Sequence, residues 1–255
     1  MTTGTTIENF PLAHKDHQGA RIGMWLFLFT ELLLFGGLFL LYAVYRHQFA
    51  ADFHYAAAQL DTFMGGLNTV ILLTSSLTMV LAVLHLENRK RKHAAWMLSA
   101  TMIMGVIFLI NKYMEWSTKI HHGLYPNSEV LQSHTPGESV FYSLYYLMTG
   151  LHGLHIIIGL IILTVMLVQV VRRPRKRVRL GNVNRADLLV QAGAGETLWQ
   201  HGESEAVDEI KMTLIYGENE DVSDRLGIKM ENAGLYWHLV DVVWIFLFPL
   251  FYLIT

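Results

Sequence analysis

Cysteine is missing from the 255 residues, and charge is scarce, with only 16% Asp, Glu, Lys and Arg. Without thiols the chain forms no disulfide, no thiolate-held zinc, no iron–sulfur cluster and no paired-thiolate copper site. Any metal here would rest on histidine and carboxylate. A net charge of −2 and a pI near 6.7 supply no basic field, so no nucleic-acid partner is expected. The first 20 residues hold Glu8, Asp16 and only Lys15 among strong bases, with no apolar core before Ile22, and do not read as a cleaved secretory signal. The polar alternation of a barrel strand is also lacking, so a spanning segment satisfies its backbone as a helix.

What is present is apolar. Hydrophobic residues make up 53% of the chain, too many for an ordinary soluble domain of this size. They gather in Ile22–Tyr45, Val70–Leu86, Ala94–Ile110, Ser139–Val171 and Leu235–Ile254. A span needs about 20 apolar residues. The expectation is an all-α polytopic membrane protein, a single domain over 1–255 with a bundle of five transmembrane helices, the second and third being the shortest.

Lysine and arginine set an orientation. Sixteen of the 19 lie in the N-terminal segment, the Arg89–Lys92 loop and the long loop from Arg172, against three (Arg46, Lys112 and Lys119) on the other side. By the positive-inside rule the N-terminus is cytoplasmic and the C-terminus periplasmic or outside. The long loop, at about 173–232, opens with RRPRKRVR, a lipid-headgroup anchor by composition, and then turns acidic. It reads as a hydrophilic cytoplasmic insert.

Ionisable groups at bilayer depth are costly, so each is a functional candidate. Glu31 lies nine residues into the first span, about 13 Å along a helix, with no base within one turn. It reads either as a neutral acid bonded to a neighbouring helix or as a proton-exchanging, lipid-facing site. His152 and His155 share one face of the fourth span, where Gly150, Gly153 and Gly159 permit close helix approach. They suit haem or metal ligation, or interhelical hydrogen bonding. Glu115, three residues after Lys112, reads as an interfacial ion pair where the third span leaves the membrane. His238 and Asp241 in YWHLVDVVW form a polar patch in the first two turns of the last span, near the cytoplasmic boundary, with Trp237 and Trp244 as interfacial aromatics.

Four stretches together resemble the cytochrome c oxidase subunit III family of haem-copper oxidases. They are RIGMWLFLFTELLLFGGLF from Arg21, LNTVILLTSS from Leu67, GLHGLHIIIG from Gly150 and YWHLVDVVWIFLF from Tyr236. The resemblance covers Arg21–Val171 and Gly227–Ile254 and implies a subunit without haem or copper, packed against subunits I and II that hold them. It implies that Glu31 is the family's buried carboxylate beside a cleft of structural phospholipid, near the oxygen route and linked to sustained proton uptake. Arg21, Trp237 and His238 become candidate headgroup or cleft contacts, and His152, His155 and Asp241 match positions that look structural.

The chain resembles the shorter, five-helix bacterial kind, and its long loop exceeds the family's usual connection, so no function carries over to that insert. The expected role is a non-catalytic subunit of a proton-pumping cytochrome c oxidase reducing oxygen to water, meeting cytochrome c only through the complex. Alternatives are the equivalent subunit of a quinol oxidase or nitric oxide reductase, a diheme cytochrome using His85, His152, His155 and His238, or a proton-coupled transporter around Glu31. The transporter lacks an evident inverted repeat.

Overall fold

The computed structural model describes residues 17–172 and 220–253. No strand occurs among the described residues. The helices are α1 (His17–Gln48), α2 (Ala50–Ala58), α3 (Thr62–Glu87), α4 (Arg91–His121), α5 (Glu129–Gln132), α6 (Pro136–Val171) and α7 (Glu220–Phe248), which runs into a π-helical turn at Pro249–Leu253. Five of these are long and apolar enough to cross a membrane: Gly19–Gln48, Thr62–Glu87, Arg91–His121, Pro136–Val171 and Leu226–Leu253. The all-α, five-span architecture is the one the hydrophobic runs imply.

Local sequence sets the helix starts. Asp61 caps α3 by accepting from the Met64 amide at 3.1 Å, and Ser128 caps α5 by accepting from the Leu131 amide at 3.1 Å. Thr135 precedes Pro136 at the start of α6 with Glu138 three residues on, the spacing of a capping box.

Two boundaries differ from the reading of the hydrophobic runs. The second span is the shortest at 26 residues, but the third reaches 31. It continues past Ile110 because Lys112, Glu115 and Lys119, which end the apolar run, are buried inside the bundle. The last helix begins at Glu220, within the stretch assigned to the hydrophilic loop. Leu226, Met230 and Ala233 bury one face there at three- to four-residue spacing, while Lys229 stays exposed. The loop residues 173–219 lie outside the described residues.

The core is aromatic and centres on α7. Trp237 and Trp244 are fully buried, and Phe141, Tyr142, Tyr145 and Phe251 pack edge to face around the end that holds the π-helical turn. Glycine makes the tightest contact possible. A Cβ at Gly105 of α4 would sit 2.8 Å from the Trp237 ring, and one at Gly159 of α6 3.0 Å from it, so the indole is clamped between two bare backbones.

By contrast α1 is mostly uncovered: Trp25, Leu26, Phe29, Leu32 and Leu33 are all exposed. It joins the bundle along one stripe, Leu28, Glu31, Phe35 and Tyr42, with the Tyr42 hydroxyl donating to the Leu250 carbonyl at 2.7 Å.

Candidate functional site

Glu31 meets His155. The stripe that docks α1 carries Glu31 toward α6, where its Oε2 lies 2.8 Å from His155 Nε2, with both side chains largely buried. The other ring nitrogen, Nδ1, is 2.7 Å from the Leu151 carbonyl. A carbonyl only accepts, so Nδ1 carries a hydrogen and donates it. Nε2 then either accepts from a carboxylic acid or, in an imidazolium, donates to a carboxylate. Both states hold one proton between Nε2 and Oε2, and both are neutral overall. The surroundings lock the pair: Phe35 lies edge-on to the imidazole at 5.3 Å, and the Tyr236 hydroxyl of α7 donates to the His155 carbonyl at 3.1 Å. Sequence spacing placed Glu31 and His155 separately and gave no sign of their meeting.

His152, one turn away on α6, takes no part in that pair. Its ring stacks on Trp244 at 5.3 Å and is edge-on to Phe108 at 5.6 Å, and neither ring nitrogen has a hydrogen-bond partner among the described residues. His85 pairs with His93, ring centroids 5.5 Å apart, at the opposite end of α3 from its N-cap. The four histidines of the diheme alternative therefore have separate partners. No group of three or more metal-ligating side chains occurs among the described residues.

Three expectations change in detail. Glu115 does pair with Lys112, at 3.0 Å, but the pair is buried in the bundle rather than interfacial. Lys112 Nζ also donates to Tyr145 Oη at 3.1 Å and to Tyr252 Oη at 2.9 Å, and both phenols donate to Glu115 Oε1, at 2.7 and 2.6 Å. All three ammonium hydrogens are used, and the carboxylate accepts three bonds. This tetrad ties α4 to α6 and to the π-helical turn. The separation of Tyr145 and Tyr252 in sequence concealed it.

Trp237 is the second change. It is 0% exposed, so it touches neither headgroup nor lipid, and its indole donates to Ser75 Oγ at 3.1 Å. Trp244 is likewise internal, donating to Thr69 Oγ1 at 3.1 Å. Each has hydrogen-bonding partners inside the bundle that an interfacial position would not require.

The third concerns His238 and Asp241. His238 Nδ1 lies 2.6 Å from the hydroxyl of Ser76, which is 11 residues from the end of α3. That is about 17 Å of helix from the Arg89–Lys92 edge, near mid-span rather than at the boundary. Asp241 is buried, and among the described residues neither of its oxygens has a hydrogen-bond partner.

At the opposite end of α1 from Tyr42, Arg21 donates to Glu231 of α7 at 3.0 Å in a partly exposed ion pair. Phe27 stacks on Tyr236 at 6.0 Å just inside it.

Comparison with known proteins identifies the family. The family model for cytochrome c oxidase subunit III matches residues 8–174. Cytochrome c oxidase subunit 3 of a Synechocystis species is 28% identical over 242 residues, spanning 94% of this chain and 78% of that protein. The protein of the same name from a Bacillus species is 28% identical over 258 residues, 97% of this chain and 94% of that one. A probable quinol oxidase subunit 3 of Staphylococcus saprophyticus is 25% identical over 247 residues, 94% and 92% of the two chains. This five-span helical bundle, matched over residues 8–174 by one family model, belongs to the cytochrome c oxidase subunit III family.

Proposed function

We propose that the chain is a non-catalytic integral subunit of a proton-pumping terminal oxidase that reduces oxygen to water, with cytochrome c as the electron donor to the complex. Haem and copper belong to partner subunits I and II, and this chain stabilises them from the side. The N-terminus faces the cytoplasm and the C-terminus the periplasm or outside, a reading that the distribution of Lys and Arg supports.

The observation that carries the finer role is the Glu31–His155 contact. A carboxylate and an imidazole that share one proton at bilayer depth form a store that gives up or takes a proton without burying a lone charge. That suits support of proton uptake by the neighbouring subunit. Exposed apolar surface on α1, and a surface groove of about 340 Å³ lined by Tyr45, Ser139, Val140, Ser143, Leu144 and Leu147, favour structural phospholipid along the α1–α6 seam. Arg21, at the N-terminal end of the first span, has a guanidinium that Glu231 only partly occupies, which suits a lipid headgroup.

The quinol oxidase relative supports a second reading, in which the complex takes electrons from quinol. Purifying the complex through a tag on this chain tests both. Co-purification with a haem-bearing subunit is expected, with cytochrome c or quinol oxidation identifying the donor. A firmly bound haem or transition metal in the separated chain would overturn the assignment.

A further inference from the structure

We propose that Tyr236 of α7 is the positioning residue of the Glu31–His155 pair, a wedge that sets the spacing between α1, which carries the carboxyl group, and α6, which carries the imidazole. The proposal rests on the reading of Glu31 as the proton carrier and names what holds that carrier in place. The two helices do not fix the spacing by themselves, because α1 is mostly exposed and docks by one narrow stripe. The pair tolerates little slippage. Its 2.8 Å separation is that of a good hydrogen bond, and at about 3.6 Å the bond is lost.

Tyr236, 4% exposed, touches both helices at the level of the pair. Its hydroxyl donates to the His155 carbonyl at 3.1 Å, using a second lone pair of an oxygen that also serves the α6 helix. Its ring stacks on Phe27 with centroids 6.0 Å apart and 26° between the planes. Phe27 stands one turn before Glu31, at i and i+4 on one face of α1. Gly159, one turn after His155, opens the way for the phenol: a Cβ there would lie 3.2 Å from the Tyr236 ring and point back toward the His155 turn.

Other contacts join α1 to α7 at other levels: Arg21 with Glu231, Phe39 with Phe246, and Tyr42 with the Leu250 carbonyl. Of these α7 contacts with α1, that of Tyr236 is the one that also bonds the residue bearing the imidazole. A buried phenol needs a hydrogen-bond partner wherever it lies. Tyr42, 1% exposed and donating at 2.7 Å, is therefore the matched control: it ties α1 to α7 about 16 Å of helix away from Glu31 and has no bond to either member of the pair.

Infrared difference spectroscopy of the intact complex across a pH step tests this, with the Glu31 signal identified by its loss in Glu31→Gln. In Tyr236→Phe the free-acid C=O band of Glu31 should grow about tenfold over the parent, the scale of one lost hydrogen bond, while Tyr42→Phe should leave it at the parent level. Retention of the subunit is measured on the same samples. Where Tyr236→Phe is not retained, Phe27→Leu, which removes the stacking partner, carries the same expectation. An unchanged band in the retained variant, or an equal rise in Tyr42→Phe, overturns the proposal. Endurance of turnover in Glu31→Gln is read separately: unchanged endurance with the new band present would defeat the proton-supply reading and leave the positioning role standing, whereas lost endurance without the band would do the reverse.

Discussion

Replacing Lys112 by methionine is the sharpest perturbation of the bundle. The substitution keeps most of the stem volume but removes three charge-assisted hydrogen bonds and the cation that lies 5.0–5.5 Å from the Tyr145, Trp244 and Tyr252 rings. Glu115 keeps its two phenol donors, yet it becomes a buried anion stripped of the ammonium that touches it. Breaking one side of such a pair costs about 3–5 kcal/mol. Replacing both members together, as Lys112→Met with Glu115→Met, removes both halves of the pair, and a volume-matched apolar pair is about neutral to a few kcal/mol stabilising. Tyr252→Phe removes one bond to the charged oxygen and should cost about 1.5–3 kcal/mol. The assay is a thermal denaturation series on the purified complex, read as a double-mutant cycle. Additive losses, with the double variant as unstable as the sum of the singles, would refute the tetrad as a coupled unit. A single Lys112→Met loss below about 1 kcal/mol, the scale of an exposed pair, would return it to the membrane surface.

Gly105→Val should be more damaging than Gly153→Val: at Gly105 a Cβ meets the Trp237 ring at 2.8 Å, whereas at Gly153 nothing lies within 4 Å. Overpacking of this kind costs about 1–3 kcal/mol, and equal melting temperatures in the two variants would argue against the indole clamp. A Gly/Ser bridge in place of residues 185–219 should preserve insertion and oxidase assembly, because the six bases from Arg172 to Arg179 remain to hold α6 in place. Protease added to sealed vesicles should cut this loop only when the cytoplasmic face is outward, and cleavage only in the opposite orientation would invert the topology.

The fold was legible in the sequence because the bilayer allows few solutions: five apolar runs without alternation leave only five helices. Helix ends were less legible, since apolarity stops at Ile110 while α4 continues to His121 on buried charges. Glu31 was visible as a lone acid in an apolar span. Its partner was not, because His155 lies 124 residues away and only the docking of α1 on α6 brings them to 2.8 Å. Tyr252 and Lys112 are hidden for the same reason, at a separation of 140 residues. Trp237 misled because tryptophan near a span end suits an interface, and nothing local reveals that Gly105 and Gly159 open a slot for it.

Glu31 is the carrier of the proton it shares with His155 in the proposed role. Glu31→Gln keeps the shape and a hydrogen bond to His155 Nε2, so the subunit should remain on the complex, but the amide has no acid proton to give up. In oxidase reconstituted into vesicles, the variant should start near the wild-type rate, then lose activity progressively during sustained turnover or translocate fewer protons per electron. Full retention of the subunit with unchanged endurance and unchanged proton stoichiometry would contradict the account and leave Glu31 as a structural acid.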